Sequence, residues 1–310
     1  MKPSRWIFGI ILGICVYAIF VLFSDVSLLI EQLENIEIQF IIMGVFVVFV
    51  GLVIRALRWH LMITRLNVKI NLKSTLLIYF SGTAFGLSPG RLGEVVKSHY
   101  LKRFVNTPIT VSAPTIIVER FLDVFAILLI AFFAFLFSGI HHESVVFGFS
   151  ALSISLFLIY QKKFLIQILT RIESIPFLGK ISKNLISSID IIFVLTQPKI
   201  LGKTLLLSII SWVIEASVVY FILKAFGISL SIITTQFIYV ISSLIGSISF
   251  LPGGIGTTEG GLLGLLFLQE ISYDDALGPV LVIRLIALWM TILFGVIMCR
   301  IIEITILKGK

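Results

Sequence analysis

Arginine and carboxylate side chains recur in this sequence where apolar neighbours make them expensive. Thr115-Ile-Ile-Val-Glu-Arg-Phe-Leu-Asp123 places Glu119, Arg120 and Asp123 inside an otherwise apolar run, and Pro279-Val-Leu-Val-Ile-Arg-Leu-Ile-Ala287 does the same for Arg284. A charge at the centre of a membrane helix costs ~2.5–3.5 kcal/mol on insertion scales, so each must face a partner or water. Glu119 and Asp123 are spaced i,i+4, and Arg120 and Asp123 i,i+3, so they share one helix face. Two chemistries fit. The group is an internal ion-pair network tying helices together, or Arg120 meets a phosphate-like anion while the carboxylates meet a cation or a proton.

Two helix breakers sit in similar surroundings. Leu87-Ser-Pro-Gly-Arg-Leu-Gly-Glu94 and Leu251-Pro-Gly-Gly-Ile-Gly-Thr-Thr-Glu259 each join Pro-Gly to a further glycine and then an acid. Proline removes a backbone donor and glycine loosens the helix. In lipid such breaks persist only where they are buried in protein or line a polar cavity. The helix restarting after each break presents free N–H groups at a positive end, suited to an anion. Gly253, Gly254 and Gly256 let the backbone approach a ligand, and Thr257 or Thr258 is a candidate N-cap. Arg91, Arg120 and Arg284 add cations. Glu94 and Glu259 are either part of the site or first-turn acids that satisfy the helix ends, and the breaker glycines also suit plain helix packing.

Arg55, Arg58 and Trp59 are expected to anchor the cytoplasmic end of a spanning helix at the interface. Glu215 lies 160 residues after Arg55 and is its candidate partner across the two halves. Lys97 and His99 are placed at an inner mouth. His141 and His142 read as a solvated outer loop. The four histidines and two cysteines, Cys15 and Cys299, have no zinc-site spacing. No metal or cofactor is expected, and no Ser-His or Cys-His arrangement supports an enzyme.

The elements that must position these residues are membrane helices. The 310 residues are 58% hydrophobic and 13% charged with mean hydropathy +1.14, whereas soluble domains carry about 25% charge. The net charge of +8 sits mostly in loops beside apolar runs, which points to lipid and orientation rather than nucleic acid. Spanning runs are predicted at 6–23, 38–60, 109–138, 143–160, 202–224 and 276–303. The first is read as a retained helix, not a cleaved leader. The broken regions, 74–104 and 232–270, have half-helices of ~20–25 Å and are predicted as re-entrant hairpins. The fold class is therefore an all-α membrane protein with about six transmembrane helices plus two broken-helix hairpins; eight or more full spans is the alternative. Lysines and arginines put both termini in the cytoplasm, the acidic stretch 24–37 in an outer loop, and 161–203 inside as two amphipathic surface helices.

Pro89 and Pro252 are 163 residues apart, and Arg120 and Arg284 are 164 apart, each arginine near the middle of the span after its hairpin. Units 38–138 and 204–303, joined by the 161–203 linker within one membrane domain of residues 1–310, then run in opposite directions as an inverted repeat.

With these residues in hand, the chain resembles the lysylphosphatidylglycerol synthase transmembrane-region family of flippase-like proteins. Arg55-Ala-Leu-Arg-Trp59, Pro89-Gly-Arg-Leu-Gly-Glu94, Glu119-Arg-Phe-Leu-Asp123 and Pro252-Gly-Gly-Ile-Gly-Thr-Thr-Glu259 carry the resemblance, in that order. It implies translocation of a phospholipid or a lipid-linked saccharide between leaflets, in the plasma membrane of a prokaryote. It lends no support to synthase activity, since the chain ends soon after its last apolar run and is expected to stand alone, without the aminoacyl-transfer domain. Without a G-x-x-x-x-G-K-[ST] motif, movement is passive, ion-coupled or driven by a partner. Alternatives are a secondary transporter of a small soluble anion, and a non-transporting membrane subunit that recruits a lipid-modifying enzyme through 161–203.

Overall fold

A computed structural model describes residues 4–88, 93–137, 150, 170–171 and 188–308. The first half comprises α1 (Ser4–Leu22), α2 (Val26–Glu34), α3 (Ile38–Arg65), α4 (Leu72–Thr83), α5 (Val96–Val105), α6 (Ile109–Ser112) and α7 (Pro114–Phe137). The second comprises α8 (Pro198–Ala225), α9 (Ile232–Ile248), α10 (Thr257–Phe267), α11 (Tyr273–Arg284) and α12 (Thr291–Lys308). No strand occurs among the described residues. Three segments of these are long and apolar enough to cross a membrane: Ile38–Arg65, Pro198–Ala225 and Tyr273–Thr305. The predicted 143–160 run, His141, His142 and most of the 161–203 linker lie outside the described residues.

The two halves repeat each other in register. α3 and α8 are both 28 residues long, with boundaries 160 residues apart. Each ends in a left-handed residue, Asn67 at φ 60° and Gly227 at φ 73°, and each next helix is capped by a side chain, Asn71 on Ser74 N and Ser231 on Thr234 N. α3 and α8 pack antiparallel. Gly44 lies against Ile222, Gly51 against Ser211, Arg58 on Ser208 and Arg65 on Gln197. Gly51 is small because a Cβ there would stand 3.1 Å from the Ser211 carbonyl oxygen. The remaining helices cross over. α12 packs on α4, with the Thr83 hydroxyl on Thr291 O at 2.9 Å and Gly295 pressed against Ala84, while α7 packs on α9.

The second broken region is a hairpin of unequal arms. α9 has 17 residues and α10 has 11, about 25 and 16 Å at the helical rise. The arms touch closely: Gly246 lies on Thr258, and Gly261 would meet Ser242 Cα at 3.2 Å if it bore a Cβ. The turn is tight because Gly253, Gly254 and Gly256 take φ of 62°, 65° and 85°. A second arm of ~16 Å is about half the hydrocarbon thickness, which suits a re-entrant segment. In the first broken region α4 and α5 flank the break, and Pro89, Gly90 and Arg91 fall outside the described residues.

Three expectations change. The acidic stretch 24–37 is not a loop, because Asp25 caps α2 by accepting from Ser27 N and Leu28 N, and α2 turns 104° from α1. The helix predicted from residue 202 starts at Pro198; the proline suits the first helical turn, and Lys199 and Lys203 belong to α8. Within 161–203, residues 188–195 are helical, but Ile189 and Leu195 are buried in protein instead of lying on a membrane surface.

Candidate functional site

Five cationic and five acidic side chains meet between the halves among the described residues: Arg55, Arg58, Lys97, Arg120 and Arg284 with Glu94, Glu119, Asp123, Glu215 and Glu259. All but Arg120 are less than a tenth exposed. The set is charge-balanced, which is how charges survive burial.

α3 supplies the centre. Arg58, fully buried, donates from Nη1 to Asp123 Oδ1 and to Ser208 Oγ, both at 2.6 Å, and from Nη2 to Glu119 Oε1 at 3.4 Å. Arg58 thus joins α7 to α8. Arg55, one turn earlier, pairs with Glu215 Oε2 at 2.6 Å across the antiparallel seam and lies 4.6 Å over the Trp212 ring. Tyr239 donates to the other oxygen of Glu215 at 2.8 Å. Arg55, Arg58 and Trp59 are therefore core residues and do not anchor an interface; the partners lie on α7 and α8, far away in sequence. Lys97 likewise leaves the mouth predicted for it. It donates to Glu94 at 2.9 Å and Glu119 at 2.7 Å under the Tyr79 ring, whereas His99 is exposed.

The acid after each breaker meets the arginine downstream. In the second half Arg284 Nε donates to Glu259 Oε1 at 2.7 Å, and in the first Arg120 Nη2 stands 3.5 Å from Glu94 Oε2 and 3.2 Å from Asp123 Oδ2. Glu259 is also the first-turn acid of α10, accepting from Gly256 N at 2.8 Å. Gly256 is the N-cap, so neither threonine is: Thr257 bonds Ser249 Oγ and Gly254 O, and Thr258 packs on Gly246. Arg284 further donates to Gly253 O at 2.8 Å, fastening the break to α11. Arg284 sits about a third of the way along Tyr273–Thr305, directly before the π-helical turn Leu285–Met290, whereas Arg120 lies in the second turn of α7 because Pro114 separates α6 from α7.

A cavity of about 350 Å³ opens between the halves. Arg120, Asp123, Trp212, Glu215, Tyr239 and Arg284 line it, with Gly253, Gly254 and Thr258 from the second break. Phe250 and Leu251 complete the wall and are 70% and 41% exposed. Phe250 holds φ 54°, costly for an aromatic residue. Of the residues singled out from sequence, Arg55, Arg58, Glu94, Lys97, Glu119, Thr257 and Glu259 do not line this space; Arg55, Arg58, Glu94, Thr257 and Glu259 contact residues that do, and Lys97 and Glu119 stand behind them. Trp212 and Ser208 escaped notice, although both lie on the Glu215 side of α8. So did Tyr17 and Trp289. Tyr17 donates to Glu259 Oε1 at 3.1 Å and accepts from Trp289 Nε1 at 2.8 Å, and no spacing signal marks α1 as their neighbour.

Such a fold and site define an all-helical integral membrane protein with a broken helical hairpin restarting beside buried ion pairs. The chain belongs to the lysylphosphatidylglycerol synthase transmembrane-region family, whose profile matches residues 10–295. Among its relatives, a UPF0104 membrane protein of Methanocaldococcus jannaschii is 30% identical over 72% of this chain and 95% of its own length. Another, of Pyrococcus horikoshii, is 24% identical over 92% and 94%, and one of Methanothermobacter thermautotrophicus 22% over 93% and 92%. These relatives carry membrane-protein names and no enzyme name.

Proposed function

We propose that this protein moves a phospholipid or lipid-linked headgroup between the leaflets of a prokaryotic plasma membrane. One observation carries the reading: the cavity between the halves presents Arg120 and Arg284 together, beside the α9–α10 break, with exposed Phe250 and Leu251 at its wall. The arginines attract a phosphate, and the apolar wall suits chains that stay in the bilayer. About 350 Å³ falls within the usual range for a small-molecule site and holds a headgroup rather than a whole lipid. The two halves, packed antiparallel through α3 and α8, expose the site to each leaflet in turn by rocking. Both termini are assigned to the cytoplasm, and the partner is membrane lipid. A lipid-modifying enzyme is a further partner where one supplies the substrate.

The test is a two-leaflet assay in liposomes, with short-chain fluorescent lipids and outer-leaflet quenching over time. Movement that depends on the protein and is lost in Arg120→Gln supports the reading. Unchanged movement in a folded Arg120→Gln protein refutes the phosphate site. Uptake of a soluble anion, with no lipid moved, replaces it with the secondary transporter.

A further inference from the structure

The donors and acceptors that face the cavity are not equally engaged. Asp123 Oδ1 accepts from Arg58 at 2.6 Å and from Trp212 Nε1 at 3.2 Å, and Oδ2 stands 3.2 Å from Arg120. Glu215 Oε1 accepts from Tyr239 at 2.8 Å, and Oε2 stands 2.6 Å from Arg55. Each oxygen of both lining carboxylates therefore already faces a protein donor, and each carboxylate is neutralised by an arginine. The cationic side differs. Arg120 is held by long contacts, 3.5 Å to Glu94 and 3.2 Å to Asp123, and its side chain is 28% exposed against 6% for Asp123 and 8% for Glu215. A guanidinium left open to the cavity in this way has donor capacity for an incoming anion. Ser88, Ser243, Ser247 and Thr258 add hydroxyls to the lining.

We infer that the cavity takes a phosphate whose head is uncharged and hydroxyl-bearing, such as glycerol, inositol or a sugar, and discriminates against heads that carry an amine. The phosphate accepts from Arg120 and Arg284. A hydroxyl is both donor and acceptor, so it shares a lone pair on Asp123 or Glu215 and pairs with Ser243 or Thr258 without asking for net charge. An ammonium needs an uncompensated carboxylate, and the cavity offers none. It would be desolvated beside arginines, which is how a site rejects a near relative of its ligand. This inference rests on the lipid-translocation reading for its biological sense, but its binding test stands apart from transport.

The deciding comparison is phosphatidylglycerol against phosphatidylserine, because both heads carry one net negative charge and only one carries an amine. Short-chain forms of each are titrated onto the intact protein in detergent, with thermal stabilisation as the readout, and phosphatidylinositol and phosphatidylethanolamine are run beside them. The expected result is at least about tenfold tighter binding of phosphatidylglycerol and phosphatidylinositol than of the two amine-bearing lipids. Thr258→Val and Ser243→Ala should each narrow that ratio, and either variant that unfolds is replaced by the other. Equal or tighter binding of phosphatidylserine overturns the inference, and so does binding of none of the four. Selective binding of phosphatidylglycerol with no leaflet exchange leaves the inference standing and removes translocation. Exchange of all four lipids at one rate, lost in Arg120→Gln, does the reverse.

Discussion

Breaking the Arg55–Glu215 pair one side at a time should cost far more than removing it whole. The two side chains are 7% and 8% exposed and 2.6 Å apart. At an effective dielectric near 20, charges at that distance attract by ~6 kcal/mol, most of it offset by desolvation. Removing one partner strands the other. Arg55→Met leaves Glu215 with the Tyr239 hydroxyl, so its loss lies near ~3 kcal/mol. Glu215→Met leaves Arg55 with only the Trp212 ring and also strands that hydroxyl, giving ~4 kcal/mol. The double replacement removes both charges and leaves only the hydroxyl, ~2 kcal/mol. With unfolding entropy of ~2.1 cal/mol/K per residue over this chain, 1 kcal/mol is about 1.5 °C. The single variants should therefore melt about 4–6 °C below wild type and the double about 3 °C below. Purified protein is heated in detergent and the surviving monodisperse fraction read by size exclusion. If the losses of the singles add in the double to within about 0.5 kcal/mol, the residues are not coupled and the seam between α3 and α8 is wrong.

Other outcomes are as definite. Gly295→Val should disrupt the α4–α12 contact, where even a Cβ would collide with Ala84, and is expected to abolish the folded peak on size exclusion. Gly253→Ala, at φ 62° and 3.0 Å from Leu87, should lose ~1–2 kcal/mol in the same thermal assay. Tyr17→Phe removes a donor from Glu259 and should cost ~1 kcal/mol without changing headgroup preference, measured by melting and by the binding panel. In a cysteine-free background, a membrane-impermeant thiol reagent added to cells should label Glu34→Cys and spare Lys69→Cys; the reverse pattern would invert the orientation of the chain.

The breakers and intramembrane charges were legible because they violate the apolar background, and a violation stands out in one dimension. Helix existence followed from apolar run length, as in Ile38–Arg65 and Pro198–Ala225. The 160-residue offset pointed to Glu215 as the partner of Arg55, and the pair forms, but the partners of Arg58 and Lys97 could not be read. Arg58 sits at a run end, so it resembles an interfacial anchor until Asp123, 65 residues later, and Ser208, 150 later, come to meet it. Thr257 and Thr258 are good caps by type, but Gly256 with φ 85° fixes the chain direction first, and Glu259 takes the free N–H. α2 was missed because its acids suggested solvent, while one of them, Asp25, is the residue that starts the helix.

The register between α3 and α8 has a consequence for symmetry. Arg55 and Glu215 occupy equivalent positions, 160 residues apart, and touch where the helices cross. Two identical copies of one half, packed antiparallel about a two-fold axis as separate chains, would bring like charge against like at that point, arginine facing arginine or glutamate facing glutamate. Covalent fusion removes the constraint. Once both copies are encoded separately within one polypeptide, one can mutate to the opposite sign while the other keeps its own. The crossing is thus complementary where a strictly symmetric pair would repel, and a variant that restores identity at this position should be the less stable of the two arrangements.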